Sequence, residues 1–337
     1  MRWNGGGGIG QMADKNNLIL QTKDLKKYFA VRSFLGTSKR FVKAVDGVTF
    51  DIRRGEAFGL VGESGCGKST LGRTLIRMYE PTDGQILFDG EDITHLKKKE
   101  ILPYHKRMQI IFQDPYSALD PHQNVREIME EPLRMNTEMG KKERLERITE
   151  LLGKVGMQQD ALEKYAYEFS GGQRQRIGIA RALSVNPEFI MCDEPISALD
   201  VSIQAQVVNM LEDLQQEFGL TYLFVSHDLS MVRHISNRIG VMYLGSIVEI
   251  ADNDELYDHP AHPYTQALLS AIPIADPDRA GASKRQVIRG DLPSPMHIPQ
   301  GCRFHTRCPY ATKRCEEECP KLRTVGAGHQ VACHLTE

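Results

Sequence analysis

The sequence predicts an α/β fold, and the pattern of its apolar residues supports that prediction in two ways. Near-continuous apolar runs lie at residues 189–192, 220–226 and 239–245, as expected of parallel strands that helices cover on both faces. Within residues 141–156, apolar side chains recur on one face at the spacing of an amphipathic helix. From residue 18 onward, shorter apolar stretches broken by glycine and charged residues add strands and tight turns.

Length and charge limit the kinds of protein that this chain can be. Its 337 residues exceed what one compact core usually holds, so two or three structural units are expected. The 42 lysines and arginines nearly balance the 44 acidic residues, which gives no overall positive field for nucleic acid or anionic lipid. The sequence contains no secretory-signal pattern and no apolar run that approaches a bilayer span, so we expect a cytosolic protein that binds no nucleic acid.

The first residues are expected to form a tail. Residues 1–17 are rich in glycine and poor in apolar side chains, so they bury too little surface to offset their chain entropy. We predict that this segment is disordered and that the folded part begins at residue 18.

A glycine-rich loop follows the apolar stretch 57–61 and precedes a predicted helix. Its sequence, GESGCGKST, fits the G-x-x-x-x-G-K-[ST] pattern, and we call it the phosphate loop (residues 62–70). Glycines let backbone amides point at phosphate oxygens, Lys68 pairs with the β- and γ-phosphates, and Ser69 binds Mg²⁺. The alternative is a glycine-rich turn that carries a Lys-Ser pair by chance. The residues predicted to bind ATP here are Gly62, Glu63, Ser64, Gly65, Cys66, Gly67, Lys68, Ser69 and Thr70.

Cys66 has two interpretations. It lies inside the phosphate loop, where mainly its backbone is needed. A cysteine nucleophile needs an activating base, and no histidine or aspartate stands beside Cys66 in the sequence. We therefore interpret it as a small filler.

Two acidic residues end the apolar run at 189–192. Asp193 can hold the hydration shell of Mg²⁺, and Glu194 is placed to polarise an attacking water. A phosphate loop followed by such a strand favours an enzyme that hydrolyses a nucleoside triphosphate.

Four further motifs resemble those of the ATP-binding cassette (ABC) family. The segment FSGGQRQRIGIARAL, residues 169–183, is similar to the family's LSGGQ signature and helix, with Phe169 in place of leucine. Gln113 in FQDP resembles the Q-loop, SALD at residues 197–200 resembles the D-loop, and His227 in VSHD resembles the switch histidine. The resemblance implies a P-loop NTPase fold of ABC type: an ATP-binding domain over residues 18–255, made of a RecA-like core and a helical subdomain at about 114–180, followed by a small cysteine-rich C-terminal appendage.

The resemblance implies a role for the segment that opens the signature helix and for the D-loop. Ser170, Gly171, Gly172 and Gln173 would bind the γ-phosphate held by an opposite subunit, since amides at a helix start favour anions. Asp200 would lie across the same dimer interface. Without the family resemblance, the alternative is that SGGQ only caps a helix and that Asp200 only caps a turn.

Three residues are assigned to hydrolysis by the same resemblance. Glu194 would polarise the water, His227 would act beside it, and Gln113 would contact Mg²⁺ and couple the nucleotide to a membrane partner. The alternatives are a satisfied core histidine at 227 and a surface amide at 113. With Ser69 and Asp193, Gln113 completes the predicted Mg²⁺ set.

An aromatic residue is expected beneath the adenine ring. Phe29 in LKKYFAV is our prediction for this platform, because a flat ring can stack on a base. Tyr28 is the rival, and two ordinary core aromatics are the alternative.

The wider sequence resembles the ATPases of bacterial oligopeptide and dipeptide importers over nearly the whole chain. The similar segments include IIFQDPYSALDP, VMYLGSIVEIAD and HPYTQALLSAIP. The resemblance implies a second ABC ATPase that closes head to tail around two ATP molecules, two permeases, an external peptide-binding protein and a place on the cytoplasmic face of the membrane. Rival functions are a soluble ABC ATPase in translation or repair, an exporter ATPase, and an importer ATPase for nickel, glutathione or sugars.

Five of the seven cysteines follow residue 300, in what we call the C-terminal region (residues 256–337). Clustered cysteines in a reducing compartment more often bind metal than form disulfides. The importer resemblance matches Cys302, Cys308, Cys315 and Cys333 and implies a [4Fe-4S] cluster, with Zn²⁺ or unliganded cysteines as the alternatives. Cys319 is an additional cysteine outside that set.

Overall fold

The computed structural model describes residues 17–31, 40–272, 288 and 290–336. The predicted disordered tail lies outside these residues apart from Asn17. Among the described residues, no helix is both long and apolar enough to cross a bilayer.

The strands are numbered along the described part of the chain. They are β1 (Leu18–Val31), β2 (Arg40–Arg53), β3 (Ala57–Val61), β4 (Asp83–Phe88), β5 (Glu91–Asp92), β6 (Met108–Ile111), β7 (Phe189–Asp193), β8 (Thr221–Val225), β9 (Arg238–Tyr243), β10 (Ser246–Asp252), β11 (Arg323–Gly326) and β12 (His329–Val331).

The α-helices are numbered in the same way. They are α1 (Lys68–Leu75), α2 (Lys98–Arg107), α3 (Pro115–Ala118), α4 (Val125–Asn136), α5 (Lys141–Lys154), α6 (Gly171–Leu183), α7 (Val201–Phe218), α8 (Leu229–Ile235), α9 (Asn253–Asp258), α10 (Pro263–Ser270) and α11 (Lys313–Glu317).

The larger sheet has the order β11-β12-β10-β9-β3-β8-β7-β6. Its β9-β3-β8-β7-β6 part is parallel, and β10, β12 and β11 extend it as antiparallel strands. Every residue of β3, β7 and β8 is buried, which explains why these strands are apolar along their whole length. The α/β prediction is confirmed.

A second sheet lies at the N-terminal side of the chain and is antiparallel, with the order β2-β1-β4-β5. Buried side chains of β1, β2 and β4 join one hydrophobic cluster with residues of β3, α1 and α2, so this sheet covers one face of the parallel strands. Phe50 of β2 contacts Phe58 of β3, with ring centroids 5.2 Å apart.

Helices α3 to α6 connect β6 to β7 and correspond in position to the predicted helical subdomain. The amphipathic helix predicted at residues 141–156 is confirmed as α5, which buries Ile148, Leu151 and Leu152. The limits of the subdomain and of the C-terminal region stay predictions.

Phe304 is one of the side chains through which the C-terminal region packs against the sheet. Phe304 is 1% exposed and belongs to the main hydrophobic cluster. Its ring centroid lies 5.3 Å from that of Tyr243 in β9 and 5.4 Å from that of Tyr264 in α10. This contact brings the cysteine-bearing segment to the edge of the sheet where the functional site lies.

Candidate functional site

The phosphate loop joins β3 to α1 and depends on glycine at two close approaches. Gly62 and Gly67 have φ angles of 153° and 109°, which side chains disfavour. A Cβ atom at Gly67 would lie 2.0 Å from the Ala44 carbonyl oxygen, and one at Gly62 would lie 2.2 Å from that of Met242. The loop therefore takes a conformation that only glycine permits at these positions.

The Lys68 ammonium group is held inside this loop. Lys68 is 4% exposed, and its Nζ donates hydrogen bonds to the carbonyl oxygens of Gly62 at 2.8 Å and Glu63 at 3.1 Å. Lys68 Nζ also lies 4.0 Å from Cys66 Sγ, and a buried cation whose partners are all uncharged is well suited to receive phosphate oxygens. Ser69 and Thr70 follow in the first turn of α1, both half-buried.

The environment of Cys66 supports its interpretation as a small side chain that fills space in the phosphate loop. It is 1% exposed, and burial raises the pKa of its thiol. A protonated, buried thiol is a poor nucleophile.

Asp193 ends β7 as a fully buried carboxylate. Its Oδ2 accepts hydrogen bonds from Arg73 Nε at 3.1 Å and Nη2 at 2.9 Å. Its Oδ1 is buried and has no hydrogen-bond partner among the described residues. A buried carboxylate oxygen without a donor fits the hydration shell of Mg²⁺, the ion that accompanies ATP.

Glu194 is joined to two other predicted site residues. Gln113 Nε2 donates to Glu194 Oε2 at 3.0 Å, and His227 Nδ1 lies 3.3 Å from the same oxygen. Glu194 has a φ of 46°, uncommon for a side chain of this kind, and its N–H donates to the Val225 carbonyl at 3.0 Å. The structure thus gathers the three residues assigned to hydrolysis.

Parallel strands explain this convergence. The phosphate loop follows β3, Gln113 follows β6, Asp193 and Glu194 end and follow β7, and His227 follows β8. The carboxyl ends of parallel strands meet at one edge of a sheet, where ligands bind in such folds.

The signature segment (residues 170–173) lies apart from this group. Ser170 caps α6: its Oγ accepts from Gln173 N–H at 3.3 Å, and Gln173 Oε1 accepts from Ser170 N–H at 3.0 Å. Ser170 is exposed, and Gly172 faces Ile203, from which a Cβ would be 2.8 Å away. No hydrogen bond between described residues joins this segment to the phosphate loop of the same chain.

Asp200 precedes α7 and is exposed, and its side chain makes no capping hydrogen bond. A helix cap therefore does not explain this aspartate. Like the signature segment, it presents its polar group outward.

Of the two aromatic candidates, Phe29 has the more accessible ring. It is 37% exposed, makes an edge contact with Tyr79 at 5.5 Å, and has the Lys27 ammonium 4.9 Å from its centroid. The Tyr28 hydroxyl instead donates to Asp46. The adenine role of Phe29 stays a prediction.

Three contacts in this site were missed by sequence reasoning. Arg73 lies four residues after Ser69 on α1, and this spacing could have suggested that it reaches the same site. Arg307 and Tyr264 both contact Glu63 of the phosphate loop from the C-terminal region. No sequence signal identifies contacts between residues so far apart in the chain.

The five cysteines of the C-terminal region are free thiols, and Cys302, Cys308, Cys315 and Cys333 lie close enough to interact electrostatically. Burial, with the Cys315, Cys333 and Cys308 thiols nearby, raises the pKa of Cys302 to about 11. Within residues 17–31, 40–272, 288 and 290–336, no group of three or more His, Cys, Asp or Glu is arranged to hold a metal ion, so this geometry does not support the metal site expected at Cys302, Cys308, Cys315 and Cys333. The Cys315 thiol instead lies 3.3 Å from the Thr312 hydroxyl, and Cys302 is buried while Cys333 is partly exposed.

Known proteins are similar to this chain in fold and in sequence. Its fold matches the dimeric ATP-binding cassette MJ0796 in a post-hydrolysis state with ADP and Pi, with a TM-score of 0.63 and 27% identity over 70% of this chain and 99% of that one. It also matches cbiO1 of Clostridium perfringens, part of an ABC transporter complex, with a TM-score of 0.62 and 27% identity over 72% and 92% of the two chains.

Sequence comparison gives closer relatives. The chain is 54% identical to the oligopeptide transport ATP-binding protein AppF of Bacillus subtilis, over 96% of this chain and 99% of AppF. It is 53% identical to a putative peptide import ATP-binding protein of Brucella abortus, over 94% and 97% of the two chains. Residues 45–197 match the ABC transporter family, and residues 248–315 match the oligopeptide/dipeptide transporter C-terminal region. The chain therefore belongs to the ABC family of transporter ATPases, in the group that carries this C-terminal region.

Proposed function

We propose that this chain is the ATP-hydrolysing subunit of an importer for oligopeptides or dipeptides. The observation that carries the proposal is the combination of the ATP site with the C-terminal region of the oligopeptide/dipeptide transporter family in one chain. Relatives that match over almost their full length are described as oligopeptide transport or peptide import ATP-binding proteins.

The chemistry follows from the residues at the carboxyl edge of the sheet. Lys68 and the phosphate-loop amides would bind the ATP phosphates, and a bound Mg²⁺ would supply positive charge against the negative charge that develops on them. Ser69, Gln113 and the unpartnered Oδ1 of Asp193 would hold that ion or its water molecules. Glu194 accepts a hydrogen bond from the attacking water and orients it.

Gln113 and His227 both contact the carboxylate of Glu194. Both contact Glu194 Oε2, at 3.0 and 3.3 Å, so they fix the carboxylate that faces the water. Gln113 follows β6 and precedes α3, the start of the helical part, so it is placed to relay the state of the nucleotide to that part.

The signature segment serves the second ATP site of a dimer. Ser170 and Asp200 are exposed and unconnected to the phosphate loop of their own chain, which supports contact with another subunit. A second ABC ATPase would close head to tail on this chain, each site combining one phosphate loop with the other subunit's signature segment.

The proposed complex also contains two permeases and an external peptide-binding protein. Transport needs a path through the membrane, and the described residues of this chain contain no helix that could supply one. The chain would therefore bind at the cytoplasmic face of the membrane through the permeases, where ATP is available.

We further propose that Cys302, Cys308, Cys315 and Cys333 take up a [4Fe-4S] cluster or Zn²⁺. Their mutual proximity supports this, as does the hydrogen bond from Cys302 N–H to the Cys315 carbonyl at 2.8 Å. Uptake would require the thiols to turn toward a common centre. Zinc, iron and sulfide analysis of anaerobically purified protein tests the proposal, and absence of all three removes it.

Affinity capture tests the importer. The Glu194→Gln form is captured from its native membranes with ATP present, because loss of the carboxylate should prolong the closed state, and bound proteins are identified by mass spectrometry. Lys68→Ala is the matched control that should not bind ATP. Recovery of two permeases, a second ABC ATPase and a solute-binding protein supports the proposal, whereas recovery of ribosomes, nucleic acid or no membrane protein contradicts it.

A further inference from the structure

Glu63 is the second residue of the phosphate loop, and its carboxylate, backbone N–H and carbonyl oxygen all make hydrogen bonds. Its carboxylate accepts hydrogen bonds from both terminal nitrogens of Arg307, at 2.7 and 3.0 Å. Its backbone N–H donates to the Tyr264 hydroxyl at 2.9 Å, and its carbonyl oxygen accepts from Lys68 Nζ at 3.1 Å. One residue thus links the C-terminal region to the lysine of the ATP site.

The two C-terminal partners of Glu63 are themselves fixed by packing. Tyr264 is fully buried, and the Arg307 side chain is 8% exposed. Phe304 lies one short helical turn before Arg307 and contacts both Tyr264 and Tyr243. Arg307 also reaches the Tyr243 hydroxyl at 3.4 Å. Packing therefore fixes the position from which the Arg307 guanidinium contacts Glu63.

The ion pair between Arg307 and Glu63 fixes the orientation of the two side chains relative to each other. A planar guanidinium that meets a carboxylate through two parallel hydrogen bonds fixes orientation as well as distance, and a lysine cannot reproduce this arrangement. The side chain of Glu63 is 27% exposed, so the pair is less screened than an ion pair on the open surface.

The backbone of Glu63 is part of the cradle for phosphate. It follows Gly62, whose φ of 153° already demands an unusual backbone, and its carbonyl is one of two oxygens that hold the Lys68 ammonium. A shift of this peptide unit would move Lys68 and change the direction of the loop amides.

We propose that Arg307, with Tyr264, is a positioning residue that fixes Glu63 in the phosphate loop and so orients Lys68 for the nucleotide phosphates. The C-terminal region is then a structural part of the ATP site and sets its affinity. This inference rests on the proposed ATP-binding function.

The expected effect is on nucleotide affinity more than on turnover. Arg307→Ala should raise the KM for ATP about tenfold, as loss of one charge-assisted pair implies, and lower kcat by less than about threefold. Arg307→Lys should keep the charge and lose the two parallel bonds, so its KM should lie between those of Arg307→Ala and the unaltered protein.

The experiment measures KM and kcat for ATP hydrolysis in the complete complex, purified with Glu194 intact, for five variants. These are Arg307→Ala, Arg307→Lys, Glu63→Gln, the double variant Arg307→Ala/Glu63→Gln, and Lys313→Ala. Lys313 is the control, because it lies in the same region with an 87% exposed side chain paired to Glu317. If Arg307 acts through Glu63, the double variant is no worse than the worse single variant.

An unchanged KM in Arg307→Ala overturns the inference, and so do fully additive effects in the double variant. If Arg307→Ala does not fold, the KM of Arg307→Lys and of Glu63→Gln decides, since each must exceed that of the Lys313→Ala control. Lys68→Ala distinguishes failure of the proposed ATP site from failure of the positioning role of Arg307. If it binds ATP normally, the ATP site itself is wrong; if it loses ATP while Arg307→Ala does not, only the positioning role is wrong.

Discussion

Replacing Phe304 by alanine should loosen the C-terminal region from the rest of the protein. The ring is 1% exposed, and its centroid lies 5.3, 5.4 and 5.8 Å from those of Tyr243, Tyr264 and His262. Truncating a buried phenylalanine costs about 3–5 kcal/mol in the free energy of unfolding, because apolar contacts are lost and a cavity remains. The three ring contacts place Phe304→Ala within that range rather than below it.

Equilibrium unfolding in guanidinium chloride measures this loss. Tyr310→Ala is the matched control in the same region, because that ring is 49% exposed and its removal should change the free energy of unfolding by less than about 0.5 kcal/mol. Phe304→Ala should also raise the KM for ATP, since Phe304 supports Arg307. A loss of less than about 1 kcal/mol, or one equal to the control, would refute the packing argument.

Three other predictions concern the site and its surroundings. Glu194→Gln should lower kcat for ATP hydrolysis by about 10²–10⁴-fold while ATP binding persists, and unchanged hydrolysis would contradict the role of this carboxylate. Gly67→Ala should abolish ATP binding, because its Cβ would lie 2.0 Å from a carbonyl oxygen, whereas Gly153→Ala in α5, with nothing within 4 Å, should bind ATP normally in the same titration. Burial lowers the pKa of His262 from 6.5 to about 3. Between these two pH values the imidazole is protonated in the unfolded chain and neutral in the folded chain, so acid favours unfolding. The free energy of unfolding should fall by about 1.4 kcal/mol per pH unit from this group between pH 6.5 and 3, and His262→Gln should show a smaller fall from pH 7 to pH 5.

The sequence predicted the parts of the site that short segments specify. The phosphate loop and the acidic pair at 193 and 194 each belong to one strand and the turn after it, so local pattern was sufficient. Gln113 and His227 were assigned to the site through the family resemblance, and the structure explains their meeting with Glu194, because these residues come after parallel strands of one sheet.

Contacts between distant parts of the chain could not be predicted in this way. Arg307 and Glu63 are separated by most of the protein, and neither residue type indicates a partner. The same holds for β12, which pairs with β10 and so joins the C-terminal region to the main sheet. The cysteine spacing indicated a metal site, but spacing fixes neither the rotamers nor the burial of the thiols.

Peptide uptake by native cells tests the central claim most directly. The chromosomal copy is replaced by the Glu194→Gln form, and accumulation of a labelled oligopeptide is compared with that of unaltered cells at equal permease levels. The account predicts accumulation in unaltered cells and almost none in the variant. Equal accumulation in both strains would contradict the claim that ATP hydrolysis by this chain drives peptide import.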